Sequence, residues 1–510
     1  MTTDVIEPAT IEPPEGTEAP PAGRGKLWAE IGVAVVTFLG FCVVILLKKA
    51  QLMEPDDYAY RASIVALSEG HIALTTAQYH ALSKQVGGIQ QWVQLPSGKW
   101  MSEKNPGYPF YAVVFQWLHA LRFAPLFAGG LASTSLFIAA RKWLGRWAGT
   151  WATIFFLASG MAMAFAYRST MPTFTDASFI AAGAGAILWA MLSMEASPRR
   201  RTVVGLLGFL SLELATFMRY TDVIMLIVAA IAVVVCFKAA KLRRAMLAWW
   251  LGSVVVFGAM VLIFDTIFYG HPTKTGYANG EITFSMSSII PNLKHMPNQL
   301  VHAIPAIVLA LAGLVWMAVR LIRRRRATTA STLRDQARRD GLIGLFLAAG
   351  WLGLWGLYSA YTWTAQMGGG VAAGGSFPGG RALGGRILGG GFPGGGGGSI
   401  HVIRFYVPAI GLVALLAAWF VMQLPRWLPP LIALVAVGTA YGSFHSLVEA
   451  GGLGGNLGGS GSFPGFGTGH RPSGSGRFGR YGTAPKGFKL PAGARPPSGF
   501  RPPAGFRPPS

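Results

Sequence analysis

Three acids stand together just past the first apolar stretch, in Glu54-Pro55-Asp56-Asp57, in a chain of which only 12% of residues are charged. A carboxylate is costly at a lipid boundary, so acids grouped there mark a site with a task. Asp56 and Asp57 are candidate bases: at a reacting centre a carboxylate takes the proton that an attacking hydroxyl or amine must lose. Glu54, set apart by Pro55, reads instead as the start of a loop helix, and a cap on the helix beginning at Tyr58 is the alternative role for Asp57. Asp176 lies about one turn inside a later apolar stretch, placed to meet the loop acids from below.

The complementary charges are Lys104, Arg168, Arg219, Lys274 and Arg404, each beside the end of an apolar stretch. They occur in Lys104-Asn105-Pro106-Gly107-Tyr108-Pro109, Tyr167-Arg168-Ser169-Thr170, Met218-Arg219-Tyr220-Thr221-Asp222, His271-Pro272-Thr273-Lys274-Thr275-Gly276-Tyr277 and Arg404-Phe405-Tyr406. Cations at headgroup depth suit a phosphate or diphosphate, Arg by paired hydrogen bonds and Lys as a point charge. Each one alone equally fits snorkelling to lipid phosphate. Their grouping with acids points to a lipid-linked phosphate ligand, with Tyr58 and Tyr277 as supporting neighbours. Carboxylates facing a diphosphate can also hold a hard divalent cation, Mg or Mn, for which Asp57 and Asp176 are the candidate ligands; metal dependence stays open. His71, His80, His271 and His295 lack the spacing of a helical ligand pair.

The elements that must position these residues are helices. Of 510 residues, 52% are hydrophobic, and the apolar runs are continuous and near the roughly 20 residues a spanning helix needs. The chain reads as an all-α polytopic membrane protein with about 11 transmembrane helices, near 29–47, 123–141, 146–167, 172–193, 203–217, 221–237, 245–268, 299–320, 341–362, 403–422 and 427–447. Arg-rich connectors at 141–146, 195–202, 238–244, 320–340 and 423–426 fall on one side if the N-terminus is cytoplasmic and 108–122 lies in the interface without crossing. A crossing by 108–122 would reverse every later loop. The expected location is the plasma membrane, with 48–122 as a long first extracytoplasmic loop.

The first 28 residues read as a disordered cytoplasmic tail, 29–450 as the membrane domain, 368–398 as a flexible Gly-rich insertion and 451–510 as a disordered Gly/Pro/Arg-rich tail. The net charge of +23 resides mainly in connectors that face anionic lipid, so membrane lipids and not nucleic acid are the expected partners. Cys42 and Cys236 are too few for a disulfide framework. The glycine runs lack the strand and Lys-Ser/Thr context of a phosphate loop, which excludes the soluble-nucleotide readings.

The order of Asp56-Asp57-Tyr58 after the first span, the Pro-rich step at Lys104 to Pro109, Arg168 to Asp176 opening the fourth span, Phe268-Tyr269-Gly270-His271-Pro272 to Tyr277, and Arg404-Phe405-Tyr406-Val407-Pro408 resembles the GT-C superfamily of membrane glycosyltransferases. The nearest branch is that of protein O-mannosyltransferases and lipid A aminoarabinose transferases. The resemblance implies transfer of a sugar from a polyprenyl-phosphate donor to a lipid, glycan or protein acceptor, with Asp56 in the place of the catalytic acid. Asp57 stands where Glu is commoner, and the segment around Lys104 lacks the frequent His. The rival reading is a transporter or flippase of a lipid-linked or anionic solute, which inverted repeats would favour. A third, an envelope scaffold acting through the basic tail, leaves the loop acids without a role.

Overall fold

The structure, a computed structural model, describes residues 24–48, 55–237, 240–277, 283–326, 331–368 and 403–452. The expected N-terminal tail up to residue 23, Glu54, most of the Gly-rich insertion and the C-terminal tail from 453 lie outside the described residues.

Helices dominate, as lipid requires of a backbone that must satisfy its own hydrogen bonds. In chain order they are α1 (Arg24–Leu47), α2 (Pro55–Ser68), α3 (Thr76–Val86), α4 (Gly107–Trp117), α5 (Ala124–Leu144), α6 (Ala148–Leu157), α7 (Gly160–Tyr167), α8 (Thr173–Leu192) and α9 (Pro198–Met218). They continue with α10 (Val223–Cys236), α11 (Ala240–Tyr269), α12 (Ile289–Ala303), α13 (Ala306–Arg326), α14 (Ser331–Ser359), α15 (Thr362–Gly368), α16 (Ile410–Val421) and α17 (Leu428–Gly452). Among the described residues nine helices are long and apolar enough to cross a bilayer. This is a multi-pass membrane protein.

The eleven expected spans fall on helical segments, but not all are simple crossings, and 299–320 begins in α12 and passes the break at Ile304-Pro305 before the spanning part of α13. The run 146–167 is broken into α6 and α7, bent by 62°. At the break the Ser159 hydroxyl caps α7 by accepting from Ala162 N (3.3 Å) and donates to Ala303 O (3.2 Å). The run 221–237 forms a shorter helix, Tyr220–Cys236. A hydropathy run records apolar length and not direction, so neither feature was visible in it. The stretch 108–122 yields α4, whose 11 residues span about 16 Å, well short of a bilayer's roughly 30 Å.

At the bundle centre α8 packs on α5 and α9 through small residues. A Cβ on Gly183 would stand 2.8 Å from Gly208 O, and one on Gly185 would stand 2.6 Å from Ser135 Oγ. The Ser135 and Ser211 hydroxyls donate to Ala182 O (2.7 Å) and Phe179 O (2.8 Å) of α8, so close backbones also share hydrogen bonds. At the end of the bundle where α5 finishes, buried Glu30 accepts from Arg141 Nε (2.9 Å) and Arg146 Nε (2.8 Å), tying α1 to α5 and the start of α6.

The other end carries a small folded unit. Thr75 and Gln78 form a capping box at the start of α3, and Gly87 closes it at φ 81°. Beside its helices the loop also holds a short hairpin, in which β1 (Trp92–Gln94) and β2 (Trp100–Ser102) pair antiparallel with Val93 opposite Met101. Leu95-Pro96-Ser97-Gly98-Lys99 supplies the turn, with Gly98 at φ 77° and Leu95 N donating to Lys99 O (2.7 Å). The hairpin and α2–α3 enclose Ala59, Ala62, Ala66, Leu74, Leu82 and Trp92.

Gly208→Val is expected to lower the unfolding temperature in detergent, by about 1–3 kcal/mol of strain. Gly356→Ala, where the added methyl has open space, should leave it unchanged; equal melting of both variants would refute the close α8–α9 packing.

Candidate functional site

Three backbone contacts bring the loop unit onto the bundle. A Cβ on Gly107 would lie 2.5 Å from Phe217 C and O, so only glycine permits α4 to start against the end of α9. Beside it Asn105 Nδ2 donates to Met218 O (3.3 Å), the residue before Arg219. Gly276 packs equally closely on Glu103, where a Cβ would lie 2.4 Å from Glu103 Cα. These contacts set Lys104 beside Tyr277, its Nζ 4.9 Å from the Tyr277 ring centre.

Asp57 and Asp56, adjacent in the first turn of α2, take different partners. Asp57, fully buried, accepts from Arg168 Nη2 (2.5 Å) and Nε (3.1 Å) through Oδ2 and from Thr170 Oγ1 (2.9 Å) through Oδ1. The Tyr108 hydroxyl donates to Ser169 O between these two partners. Asp56 instead lies between two cations, Lys104 Nζ at 3.2 Å from Oδ1 and Arg404 Nη1 at 2.6 Å from Oδ2. Lys104 also meets Glu103 Oε1 (3.1 Å). Burial works against the Lys104 charge, but Asp56, with Tyr277 and Glu103, outweighs it and holds the ammonium above its ordinary range.

Arg219 completes the cation group. Its Nε is 3.5 Å from Asp176 Oδ2, its Nη2 donates to Thr173 Oγ1 (3.3 Å), and its Nη1 is buried without a hydrogen-bond partner among the described residues. Asp222 and Asp176 are both fully buried and lie within side-chain hydrogen-bond reach of each other, a contact that requires one of the two to carry a proton. The Phe405 ring lies against both Arg404 (4.8 Å) and Arg219 (5.7 Å), and Trp363 against Arg404 (5.6 Å).

Of the expected residues, Asp56, Lys104, Arg219, Arg404 and Tyr277 thus assemble, with Asp57, Arg168 and Asp176 as buried neighbours. Lys274 is exposed, with no ion pair recorded for it among the described residues. Tyr58 is half-buried and Tyr60 takes the place foreseen for it, because residue 60 is four beyond Asp56 and shares its helix face whereas 58 does not. Burial raises the Tyr60 hydroxyl, with Tyr277 and Asp56 adding to the rise and Lys104 and Arg219 opposing it, so it remains a donor. Tyr60, Glu103, Asp222, Trp363 and Phe405 were not singled out by sequence; helical spacing from Asp56 signals Tyr60 alone.

The donors do not fit a divalent cation well. Asp57 gives both oxygens to Arg168 and Thr170, and Asp176 is beside Arg219; no group of three or more His, Cys, Asp or Glu is arranged for a metal among the described residues.

No protein-family model matches the chain, and no curated protein sequence matches it. Among solved structures it is similar to apo ArnT from Cupriavidus metallidurans, at 14% identity and TM-score 0.45 over 80% of this chain and 62% of that one. The same protein bound to undecaprenyl phosphate aligns at 14% identity and TM-score 0.44 over 82% of this chain and 64% of that one. The oligosaccharyltransferase AglB from Archaeoglobus fulgidus, in complex with an inhibitory peptide and a dolichol-phosphate, aligns at 10% identity and TM-score 0.47 over 84% of this chain and 56% of that one. The chain therefore spans less than two thirds of the length of each.

Removing one member of the Asp57–Arg168 pair strands a buried charge, so Asp57→Ala and Arg168→Ala are each expected to destabilise by about 3–5 kcal/mol. The double variant should lose much less than their sum in reversible detergent unfolding. Additive losses would mean that the pair is not coupled.

Proposed function

We propose that this protein is an inverting glycosyltransferase that moves a sugar from a polyprenyl-phosphate donor to a lipid, glycan or protein acceptor at the outer face of the plasma membrane, with its N-terminus in the cytoplasm. The observation that carries the reading is Asp56 held between Lys104 and Arg404, with Arg219, whose buried Nη1 has no hydrogen-bond partner among the described residues, against the same Phe405 ring as Arg404. A carboxylate ringed by cations that exceed its own need is an anion site with a base inside it.

The chemistry follows from exchange of ion pairs. A donor phosphate takes hydrogen bonds from Arg219 and Arg404, and Arg404 releases Asp56. The acceptor oxygen or nitrogen attacks the anomeric carbon from the face opposite the phosphate, forming the new glycosidic bond as the carbon–oxygen bond to phosphate breaks. Asp56 takes the acceptor proton, and the bonding pair leaves on the phosphate, where Arg219, Arg404 and Lys104 meet the developing charge. Fixed cations in a water-poor site stabilise that charge without having to reorganise. Asp57 and Arg168 hold α2 in place in this scheme, and Lys274 has no part in it. No step passes through a metal.

The bent α6–α7 pair favours the transporter reading, since broken helices line solute sites. It is the single such pair among the described residues, whereas a repeat-built transporter breaks corresponding helices in both halves.

Purified protein should transfer sugar from a synthetic polyprenyl-phosphate sugar to an acceptor. Asp56→Asn is expected to lower kcat by about 10²–10⁴-fold with donor binding retained, while Arg219→Ala chiefly raises the donor KM. A folded Asp56→Asn variant with wild-type turnover would eliminate the base role; solute flux in liposomes without transfer would decide for a transporter.

A further inference from the structure

Phe405 touches two cations at once. Its ring centre is 4.8 Å from the Arg404 guanidinium carbon and 5.7 Å from that of Arg219. Two guanidiniums near one ring repel each other, and carboxylates offset this in part: Asp56 at 2.6 Å from Arg404, and Asp176 at 3.5 Å from Arg219 with Asp222 also acting on it. An aromatic face is the neutral group that attracts a cation without hydrogen-bonding to it. Contact with a ring face, unlike a hydrogen bond, lies outside the guanidinium plane and does not use an in-plane N–H group.

The ring is itself immobilised. Tyr358, Tyr361 and Trp363 surround it at centroid distances of 5.1, 5.2 and 5.8 Å. Trp363 adds a second face to Arg404 at 5.6 Å. Tyr358 is fixed in turn through its hydroxyl to Thr221 Oγ1 (2.5 Å), two residues after Arg219.

We propose that Phe405 is a positioning residue: with Trp363 it holds Arg404 and Arg219 as a paired guanidinium clamp, by cation–π attraction, for the phosphate of the ligand. This deepens the reading of the site as one for a lipid phosphate and rests on it for the ligand, though not for the clamp. The clamp has a property that mere packing lacks. Its strength follows the electron density of the ring, so fluorine, which barely alters ring shape, weakens it stepwise.

The test uses the full chain in detergent with phenylalanine, mono-, di- and trifluorophenylalanine at position 405, together with Phe405→Leu and Phe405→Trp. In protein without ligand, the double-mutant coupling between position 405 and Arg404→Gln is read by unfolding; with ligand, binding of sugar-free polyprenyl phosphate is read. The coupling is expected to fall progressively with fluorination, phosphate affinity to fall in parallel by about three- to tenfold for Phe405→Leu, and Phe405→Trp to restore both. Phe284→Leu, at a ring that touches Tyr361 and neither arginine, should leave both at wild-type values. Coupling that ignores fluorination overturns the clamp whatever the ligand. Graded coupling in a protein that binds no polyprenyl phosphate upholds the clamp and overturns its ligand, and the proposed function with it.

Discussion

A charge shut away from water must have its counter-charge, and the Asp57–Arg168 pair is where that demand is strongest. Arg168 ends α7, Thr170 sits in the turn before α8, and both reach Asp57 in the first turn of α2. Neither charge is stable there alone, so the pair determines where α2 meets the bundle. The consequence falls on the next residue back. With Asp57 turned into the bundle, Asp56 is left to face Lys104 and Arg404.

The remaining parts of the site are held by close backbone contact more than by charge. Gly107 against Phe217, and Gly276 against Glu103, let chain segments approach to distances no side chain allows. These approaches carry Lys104 to Tyr277 and set the start of α4 on the end of α9, just before Arg219. The small-residue seam of α8 with α9 then sets the level at which Arg219, Thr173 and Asp176 meet. Rigid helices and tight turns thus give a charge cluster a defined shape, which is the requirement for electrostatic stabilisation of a changing charge distribution.

Within the cluster, bonding is uneven. Arg168 donates to Asp57 through Nε and Nη2, whereas Arg219 retains a buried N–H without an acceptor among the described residues, beside Asp176 and Asp222, which pair with each other. A buried donor left without an acceptor is uncommon enough to need an explanation, and an anionic ligand supplies one for Arg219. Two residues apart in helix phase, Asp56 and Tyr58 also show how fine the selection is: the hydroxyl beside Asp56 belongs to Tyr60.

Residue type and hydropathy in the sequence determined much of this protein. Continuous apolar runs dictated helices across a membrane, and the rarity of charge in them made Asp56, Lys104, Arg219 and Arg404 conspicuous, because a charge near lipid is expensive wherever it occurs. Only the tertiary structure decided which of those charges meet. Lys274 and Arg168 are alike in sequence terms, yet one is exposed and the other is sealed against Asp57. Trp363 carried no sign, and Phe405 stood in a quoted segment without a role of its own, since an aromatic residue in an apolar run reads as core until packing sets a guanidinium over it. The bend between α6 and α7 was equally silent, because hydropathy depends on composition along the chain, while direction and partnership depend on what lies across from it.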